Sequence, residues 1–243
     1  MKKWISAIIL IALFIGPAQA QNDTPAGSNI LKFNLSGLVV RNISFEYERM
    51  ITKHNSITLS IHTLPYGSLP FQSSAQKLID KAYVDLNLAR ISSTGANVSY
   101  RFYSHKKGTF HGFYLAPMVN YNSYKTALPI QYNNGKTGLF TGNINAVLGG
   151  IQLGTQLNIT HRIYLDLWLI GPSYGLCSGN LSFSGTLNNN EQAILKAEIE
   201  DLKGSLPIYI LGTPVINENG ASIPVQGPWA GIRALGINVG FRF

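Results

Sequence analysis

Apolar residues alternate with small or polar residues over the last ten positions of the chain. The apolar positions are Leu235, Ile237, Val239, Phe241 and Phe243. The positions between them are Ala234, Gly236, Asn238, Gly240 and Arg242. A period of two residues predicts a β-strand with one wholly apolar face. In a water-soluble sheet such a terminal strand would leave an apolar edge open to aggregation. The pattern instead fits a strand of a transmembrane barrel, which needs about 9 to 11 residues with apolar side chains outward.

Seven further segments show the same alternation. They span residues 30–38, 43–48, 57–62, 96–102, 113–122, 147–159 and 163–169. Together with the terminal segment they predict a closed antiparallel β-barrel of about eight strands, the smallest even number that closes in a membrane. Pro117 lies inside the fifth segment, and because proline cannot donate a ladder hydrogen bond we expect a bulge or a local break there.

The connections between these segments alternate between short and long. The short ones are 53–56, 105–111 and 160–162, and the long ones are 64–93, 125–143 and 172–230. This alternation is typical of periplasmic turns and extracellular loops, and it places both termini in the periplasm.

Two of the long loops contain helical patterns, over 74–89 and 189–203. The second helix begins with a capping box, in which Asn188 precedes Glu191 by three residues. Residues 207–226 of the last loop predict a hairpin outside the membrane. As an alternative, this hairpin would add two barrel strands and make ten.

The composition and the first residues indicate an exported envelope protein. Only 12% of the 243 residues are charged while 45% are hydrophobic, and a surface that faces lipid excludes charge. Residues 1–20 have the features of a secretory signal peptide: Lys2 and Lys3, an apolar stretch, and the cleavage motif Ala18-Gln19-Ala20. We therefore expect a periplasmic lead-in over 21–28, a barrel domain over 29–243, and location in a Gram-negative outer membrane.

The sequence offers little for other classes of function. Cys177 is the only cysteine, which excludes an intrachain disulfide and a multi-cysteine metal site. The net charge of +8 is dispersed without Arg-rich runs, so we expect no nucleic-acid partner. No motif indicates a cofactor.

Five segments of the chain resemble a Bacteroidetes-type family of small outer-membrane barrels that is classed as a domain of unknown function. They are Phe45-Glu46-Tyr47-Glu48-Arg49, residues 64–71, residues 112–117, Tyr164-Leu165-Asp166 with residues 171–175, and residues 227–233. The resemblance covers nearly all of the mature chain and implies an outer-membrane barrel. It supplies no catalytic residues.

Charged residues of both signs fall at inward positions of the predicted strands. They are Lys32, Glu46, Glu48, His62, Arg101, Asp166 and Arg242. An unpaired ion inside a narrow barrel would cost several kcal/mol, so we expect these side chains to pair and fill the lumen. The cations available to Asp166 are Lys32, Arg101 and Arg242, and we favour Arg101 or Arg242 because a guanidinium holds a carboxylate through two hydrogen bonds. The alternative is a proton path or a narrow pore.

An enzyme that modifies outer-membrane lipids is a second alternative. Ser60 would be the nucleophile, His62 the base, and Glu46 or Glu48 the group that orients it. Ser60 and His62 point the same way from one strand, but their side chains are about 7 Å apart, beyond direct hydrogen-bond reach. We therefore expect a non-enzymatic role in surface interaction or envelope structure, with an extracellular partner that the sequence does not identify.

The predicted periplasmic turns form a basic rim. Its members are Lys53, His54, His105, Lys106, Lys107, His111, His161 and Arg162. None of the 11 acidic residues lies there, so the rim should be positive and sensitive to pH. A solvated rim beside lipid headgroups explains it better than a metal site, which would lack a carboxylate or cysteine ligand. The expected partners are outer-membrane lipids and, during assembly, the insertion machinery, for which Phe243 is the implied recognition point.

Overall fold

The structure of the chain, a computed structural model, describes residues 27–77, 85–104, 108–132, 135–205 and 210–243. The expected signal peptide and most of the expected lead-in lie outside these ranges, as do His105, Lys106 and Lys107 of the rim. Within the described ranges, no helix has both the length and the apolar composition needed to cross a membrane.

The described residues form nine β-strands and two α-helices. The strands are β1 (Asn29–Asn34), β2 (Ile43–Met50), β3 (Asn55–Ser68), β4 (Arg90–Tyr103), β5 (Gly112–Tyr132), β6 (Lys136–Asn158), β7 (Ile163–Ser184), β8 (Val215–Asn217) and β9 (Gly220–Arg242). The helices are α1 (Gln72–Gln76) and α2 (Asn189–Ser205), with 3-10 turns at Ser36–Val40 and Leu86–Leu88.

Eight of the strands pair into an antiparallel ring. Each strand from β1 to β6 pairs with the next, β7 pairs with β9, and β9 pairs back to β1. In this last pair Asn29 N donates to Phe243 O at 3.2 Å and Phe243 N donates to Asn29 O at 3.0 Å. The prediction of an all-β antiparallel ring of eight strands is confirmed. We call the end of the ring with Asn29 and Phe243 the lower end and the opposite one the upper end.

The alternation of the sequence becomes an alternation across the wall of the ring. On β3, Ile61 is 50% exposed on the outer face, whereas its neighbour Ser60 is 1% exposed on the inner face. The buried residues of the lower half are therefore largely polar, and the exposed ones are apolar. This distribution is the reverse of the one found in a water-soluble domain.

Four strands are much longer than the sequence predicts. β5, β6, β7 and β9 have 21, 23, 22 and 23 residues. The expected long loop at 125–143 is a continuous hairpin, paired from Lys125↔Asn143 up to Tyr132↔Lys136. Much of the expected loop at 172–230 is also strand. We call the strand residues within 125–143 and 172–230, together with α2 and β8, the upper extension.

The expected hairpin over 207–226 is present in part, but it does not add two strands to the ring. β8 has three residues and pairs with the first three residues of β9. β9 then continues into the ring as its last strand, so the ten-strand alternative is wrong.

The upper extension has its own small apolar core. Phe183, Leu187 and Ala221 are buried together, with Leu195 of α2 packed against them. α2 begins with the expected capping box, since Asn188 N donates to Glu191 Oε2 at 2.8 Å and Glu191 N donates to Asn188 Oδ1 at 2.9 Å. The helical pattern over 74–89 is different: the structure has α1 and the 3-10 turn Leu86–Leu88, and residues 78–84 between them lie outside the described ranges.

Irregularities in β7 and β9 change which residues face inward. The register of β7 against β6 shifts between Leu153 and Gly154. On β9, Leu235 has a φ of 47° and a 76% exposed side chain. Above it the alternation reverses, so Ala234 faces outward and not inward as expected.

At Pro117 the ladder to β4 is interrupted between Ser99↔Met118 and Phe102↔Leu115 without any change of register. The expected disruption is therefore a local break and not a bulge.

Candidate functional site

Five charged side chains meet inside the lower half of the ring. They are Lys32 of β1, Glu46 and Glu48 of β2, Arg101 of β4 and Asp166 of β7, and each is at most 3% exposed. We call them the charge cluster. Four separate strands supply its members because every second residue of each strand points into the ring.

Lys32 is the centre of the charge cluster. Its Nζ lies 3.1 Å from Glu46 Oε1 and 2.5 Å from Asp166 Oδ2, and it also contacts Glu48 Oε2. One ammonium group therefore faces all three carboxylates, which matches its three N–H donors.

Arg101 contacts the same three carboxylates. Its Nη2 lies 2.7 Å from Glu46 Oε1, and its Nη1 lies 2.7 Å from Asp166 Oδ2 and 3.1 Å from Glu48 Oε2. The guanidinium also lies over the ring of Tyr114, 4.3 Å from the ring centre. Such contacts are strong when charged groups are shielded from water.

Neutral side chains complete the coordination of the carboxylates. The Tyr114 hydroxyl donates to Asp166 Oδ1 at 2.7 Å, the Tyr103 hydroxyl lies 2.6 Å from Glu48 Oε1, and Ser56 also donates to Glu48. Gln156 Oε1 accepts from Lys32 Nζ at 3.2 Å. These neutral partners are not among the residues that the charge pattern of the sequence predicts for the interior.

The charge cluster holds two cations and three anions, so it carries one excess negative charge. Oxygens of Glu46, Glu48 and Asp166 lie within 4.8 Å of one another, a spacing that could suit a metal ion. Lys32 and Arg101 contact these same oxygens and supply the positive charge that a metal ion would otherwise provide. The donor set therefore fits a self-contained ionic plug better than a metal centre.

Two residues expected in this network lie elsewhere. Arg242 is at the lower end, where its Nε donates to Gly27 O at 2.6 Å and its Nη1 donates to Tyr164 Oη at 2.8 Å. His62 lies above the charge cluster and is hydrogen-bonded to Asn122. Of the two partners expected for Asp166, Arg101 binds it and Arg242 does not, and Lys32 binds it as well.

A phenylalanine closes the lower end of the ring. Phe110 is 1% exposed and packs against Ile30 and Tyr164. Its loop is held beneath the ring because Thr109 N donates to Lys53 O at 2.7 Å. From the sequence, Phe110 is expected in a solvated turn. Its burial could not be predicted, because a single apolar residue in a short polar turn gives no periodic pattern.

The described members of the basic rim all lie at the lower end, as expected from the turns that contain them. They are Lys53, His54, His111, His161 and Arg162. Lys53, His54, His161 and Arg162 are exposed, and no acidic residue lies in the parts of these turns that the structure describes. The exposure of these four side chains is that of a solvated rim.

Ser60 and His62 do not form a catalytic arrangement. The Ser60 hydroxyl is buried and has no hydrogen-bond partner among the described residues. His62 is instead engaged with Asn122, and the charged group that acts on it is Arg233.

Arg233 is an inward charge that the sequence analysis missed. Its guanidinium lies 4.0 Å above the centre of the Trp168 ring, and its Nη1 is 3.5 Å from Gln152 Oε1. Among the described carboxylates, none forms an ion pair with it. The reversal of the alternation at Leu235 moves Arg233 to the inner face, and no sequence pattern signals that reversal.

Comparisons with known proteins add nothing to this geometry: no protein-family model matches the chain, and no match is found among curated proteins or solved structures. The class that the fold and the site define is an eight-stranded antiparallel ring with an ionic interior. The function of the protein must therefore be inferred from the physical properties of its surfaces.

Proposed function

We propose that this protein is a small outer-membrane β-barrel whose lumen is closed by the charge cluster. Its upper extension lies on the extracellular side and carries a non-enzymatic role in surface interaction or envelope structure. In this proposal residues 1–20 are the export signal, and assembly requires the barrel insertion machinery.

The main support for the proposal is that charged and polar side chains are buried while apolar side chains are exposed. The fully buried side chains include Lys32, Arg101 and Asp166, while large apolar side chains around the whole outer face are 39% to 76% exposed. Burying apolar surface is worth about 25 cal/mol per Å², so leaving this whole face in water would forfeit a large stabilisation. A lipid environment removes that loss.

The dimensions of the apolar band agree with a bilayer. Ile163 begins β7, and Tyr174 lies eleven residues further along the same strand. At about 3.3 Å per residue and a strand tilt of about 40°, this is a height of about 28 Å, close to the apolar band of outer-membrane barrels. Tyr66 and Tyr174 are each 64% exposed at this level, as expected for an interfacial aromatic girdle.

The filled interior favours a closed barrel over a pore. An eight-stranded ring has room for little more than its own side chains. Here the charge cluster spans the ring from β2 to β7, and Phe110 lies across the lower end. An ion entering the lumen would have to separate pairs that compensate each other's burial.

The upper extension supports a role outside the membrane. Strands of 21 to 23 residues are about twice the length that a membrane crossing needs. The extension also has its own core and an ion pair of 3.1 Å between Lys136 and Glu191 that fixes α2. A folded element beyond the membrane is better suited to contact a partner than a short turn is.

The test is a deletion strain complemented with the full chain or with a variant in which residues 186–214 are replaced by a short Gly-Ser linker. We expect both proteins to assemble in the outer membrane, and only the full chain to restore growth in detergent. Planar-bilayer recordings of the purified protein should show no channel steps, and lipid mass spectrometry of the deletion strain should show no altered species. A conducting protein or a changed lipid would contradict the proposal.

A further inference from the structure

The wall of the ring is incomplete above β1 and β2. These strands have 6 and 8 residues, whereas their outer neighbours β9 and β3 have 23 and 14. Pairing between β1 and β9 stops at Asn34↔Asn238, and pairing between β2 and β3 stops at Ile43↔Thr63. Above these points β9 and β3 continue upward with no described strand between them. We call this opening the side gap.

One side of the side gap is an open strand edge. From 227 to 236, β9 pairs with β7, and no strand in the described part of the chain pairs with its other edge. Higher on that edge, Gln226 N donates to Ile210 O at 2.9 Å. Backbone groups alternate in direction along a strand, so the amides of Ala230, Ile232 and Ala234 point into the side gap. Unpaired backbone groups are costly in lipid, which favours a polar partner at this edge.

The inner side of the side gap is positively charged. Arg233 of β9 and His62 of β3 lie on its two flanks, and Arg233 is the charge that acts on His62. Arg233 is half-buried and stacks on Trp168, and it has no ion pair among the described residues. Glu46 and Asp166 of the charge cluster attract Arg233 from a distance but form no ion pair with it. Open amides and a guanidinium that lacks a direct ion pair together form a donor set suited to an anion.

The outer side of the side gap is apolar. Val39, Ile232 and Leu235 around it are 74%, 67% and 76% exposed. Beside it an open groove of about 640 Å³ runs over the outer face, with its base at Gly149 and Gly150. The groove has space because a side chain at Gly149 would meet nothing within 4 Å.

The side gap lies at the height of the outer leaflet in the proposed membrane placement. Ile232 precedes Phe243 by eleven residues, which corresponds to about 28 Å above the lower end of the strand. A lipid head group at this height would therefore meet the open edge of β9. The acyl chain that continues from this head group would lie along the outer groove.

We propose that the side gap binds an anionic phospholipid-type amphiphile from the outer leaflet. Arg233 and the open amides of β9 hold its phosphate, and the groove over Gly149 and Gly150 holds an acyl chain. This inference rests on the proposed outer-membrane placement. A free phosphate has the same head-group chemistry but makes no use of the groove.

The test uses the full mature chain folded in zwitterionic detergent and titrated with phosphatidylglycerol brominated on its acyl chains, which quenches tryptophan fluorescence on binding. We expect the wild-type protein to bind this probe at least tenfold more tightly than brominated phosphatidylcholine. Arg233→Gln should lose that preference, because hydrogen bonds to a charged group are worth roughly tenfold or more. Arg90→Gln is the matched control, since Arg90 donates only to the backbone oxygens of Asn87 and Ala89.

A second variant tests the groove separately. Gly149→Leu fills it without a change of charge, so it should weaken phosphatidylglycerol binding and leave the weak competition by inorganic phosphate unchanged. Retention of the lipid preference by Arg233→Gln would overturn the inference. So would displacement of the lipid by inorganic phosphate as effectively as by unlabelled phosphatidylglycerol, which would identify a free phosphate as the ligand.

Insertion into vesicles, measured by flotation and by heat-modifiable migration, is determined first for each protein. Insertion without Arg233-dependent binding would contradict this inference alone. Failure of the wild-type chain to insert would contradict the proposed function and this inference with it.

Discussion

Replacing Lys32 with methionine should destabilise the ring more than removing any one carboxylate of the charge cluster. Methionine keeps much of the length of the side chain and removes the ammonium group that contacts Glu46, Glu48 and Asp166. Three buried carboxylates would then share Arg101 alone, with two excess negative charges. Removing one partner of a buried ion pair costs about 3 to 5 kcal/mol, and Lys32 should reach the upper end of that range.

Asp166→Asn should lower the free energy of unfolding by less than Lys32→Met does, although Asp166 and Lys32 are buried to the same extent. Its removal leaves two cations with two carboxylates, so the remaining charges balance. The expected loss is that of hydrogen bonds to charged groups, about 1.5 to 3 kcal/mol. Asp201→Asn, on the exposed face of α2, is the control and should change stability by less than about 0.5 kcal/mol.

The assay is urea unfolding in lipid vesicles, followed by tryptophan fluorescence and by migration of unheated samples on gels. With a slope of about 2 to 3 kcal/mol per M, a loss of 3 to 5 kcal/mol lowers the midpoint by about 1 to 2.5 M. Equal midpoints for Lys32→Met and Asp166→Asn would refute the reasoning from charge balance. A Lys32→Met midpoint equal to the wild type would refute the plug itself.

The same variant should reverse the response to acid. In the wild type the carboxylates are paired, so the unfolded chain binds protons more readily and stability falls as the pH is lowered. In Lys32→Met the crowded carboxylates of the folded state take up a proton that relieves their repulsion. Its midpoint should therefore rise between about pH 7 and pH 5, and a midpoint that falls as in the wild type would contradict this account.

Three further predictions concern the ends of the barrel. Phe110→Ala should cost about 3 to 5 kcal/mol by leaving a cavity at the lower end, measured by the same unfolding assay, while Phe71→Ala, which is 65% exposed, should cost far less. Deletion of Phe243 should lower the amount of heat-modifiable protein in the outer membrane, because it removes the end of the closing strand; unchanged amounts would count against a role in assembly. Trypsin added to intact cells should cut in α2 and spare the turn at 105–111, and the opposite pattern would invert the proposed topology.

Periodicity predicted the lower half of the ring because the wall of the ring has a polar inner side and an apolar outer side. Successive residues of each strand face these two sides alternately. Lys32, Glu46 and Arg101 could be assigned to the interior for this reason. Which interior charges meet depends on the stagger of the strands, which a single sequence does not give. Arg242 shows the limit: it is at an inward position but too near the lower end to reach Asp166.

The upper extension could not be predicted in the same way. Its inner face packs against α2 and β8, where Phe183 is buried, and against Ile210 and Leu211, where Val225 is buried. The contrast between the two faces of the strands is therefore weaker. In the sequence, Asn134-Gly135 is a hairpin signal that favours the long β5–β6 hairpin, whereas a proline such as Pro129 disfavours a strand. The reversal at Leu235 has no signal at all, which is why Arg233 was missed.

The pairing of the first strand with the last has a consequence for biogenesis. Leu31 pairs with Phe241, so the ring closes only between residues at opposite ends of the chain, and Lys32 meets Asp166 across 134 positions. Contacts of such separation form late and slowly. A chain that ends before β9 would have two unpaired strand edges, on β1 and on β7, and would be prone to aggregation. β9 must therefore be synthesised before the ring can close, so a polypeptide truncated before β9 cannot form the ring.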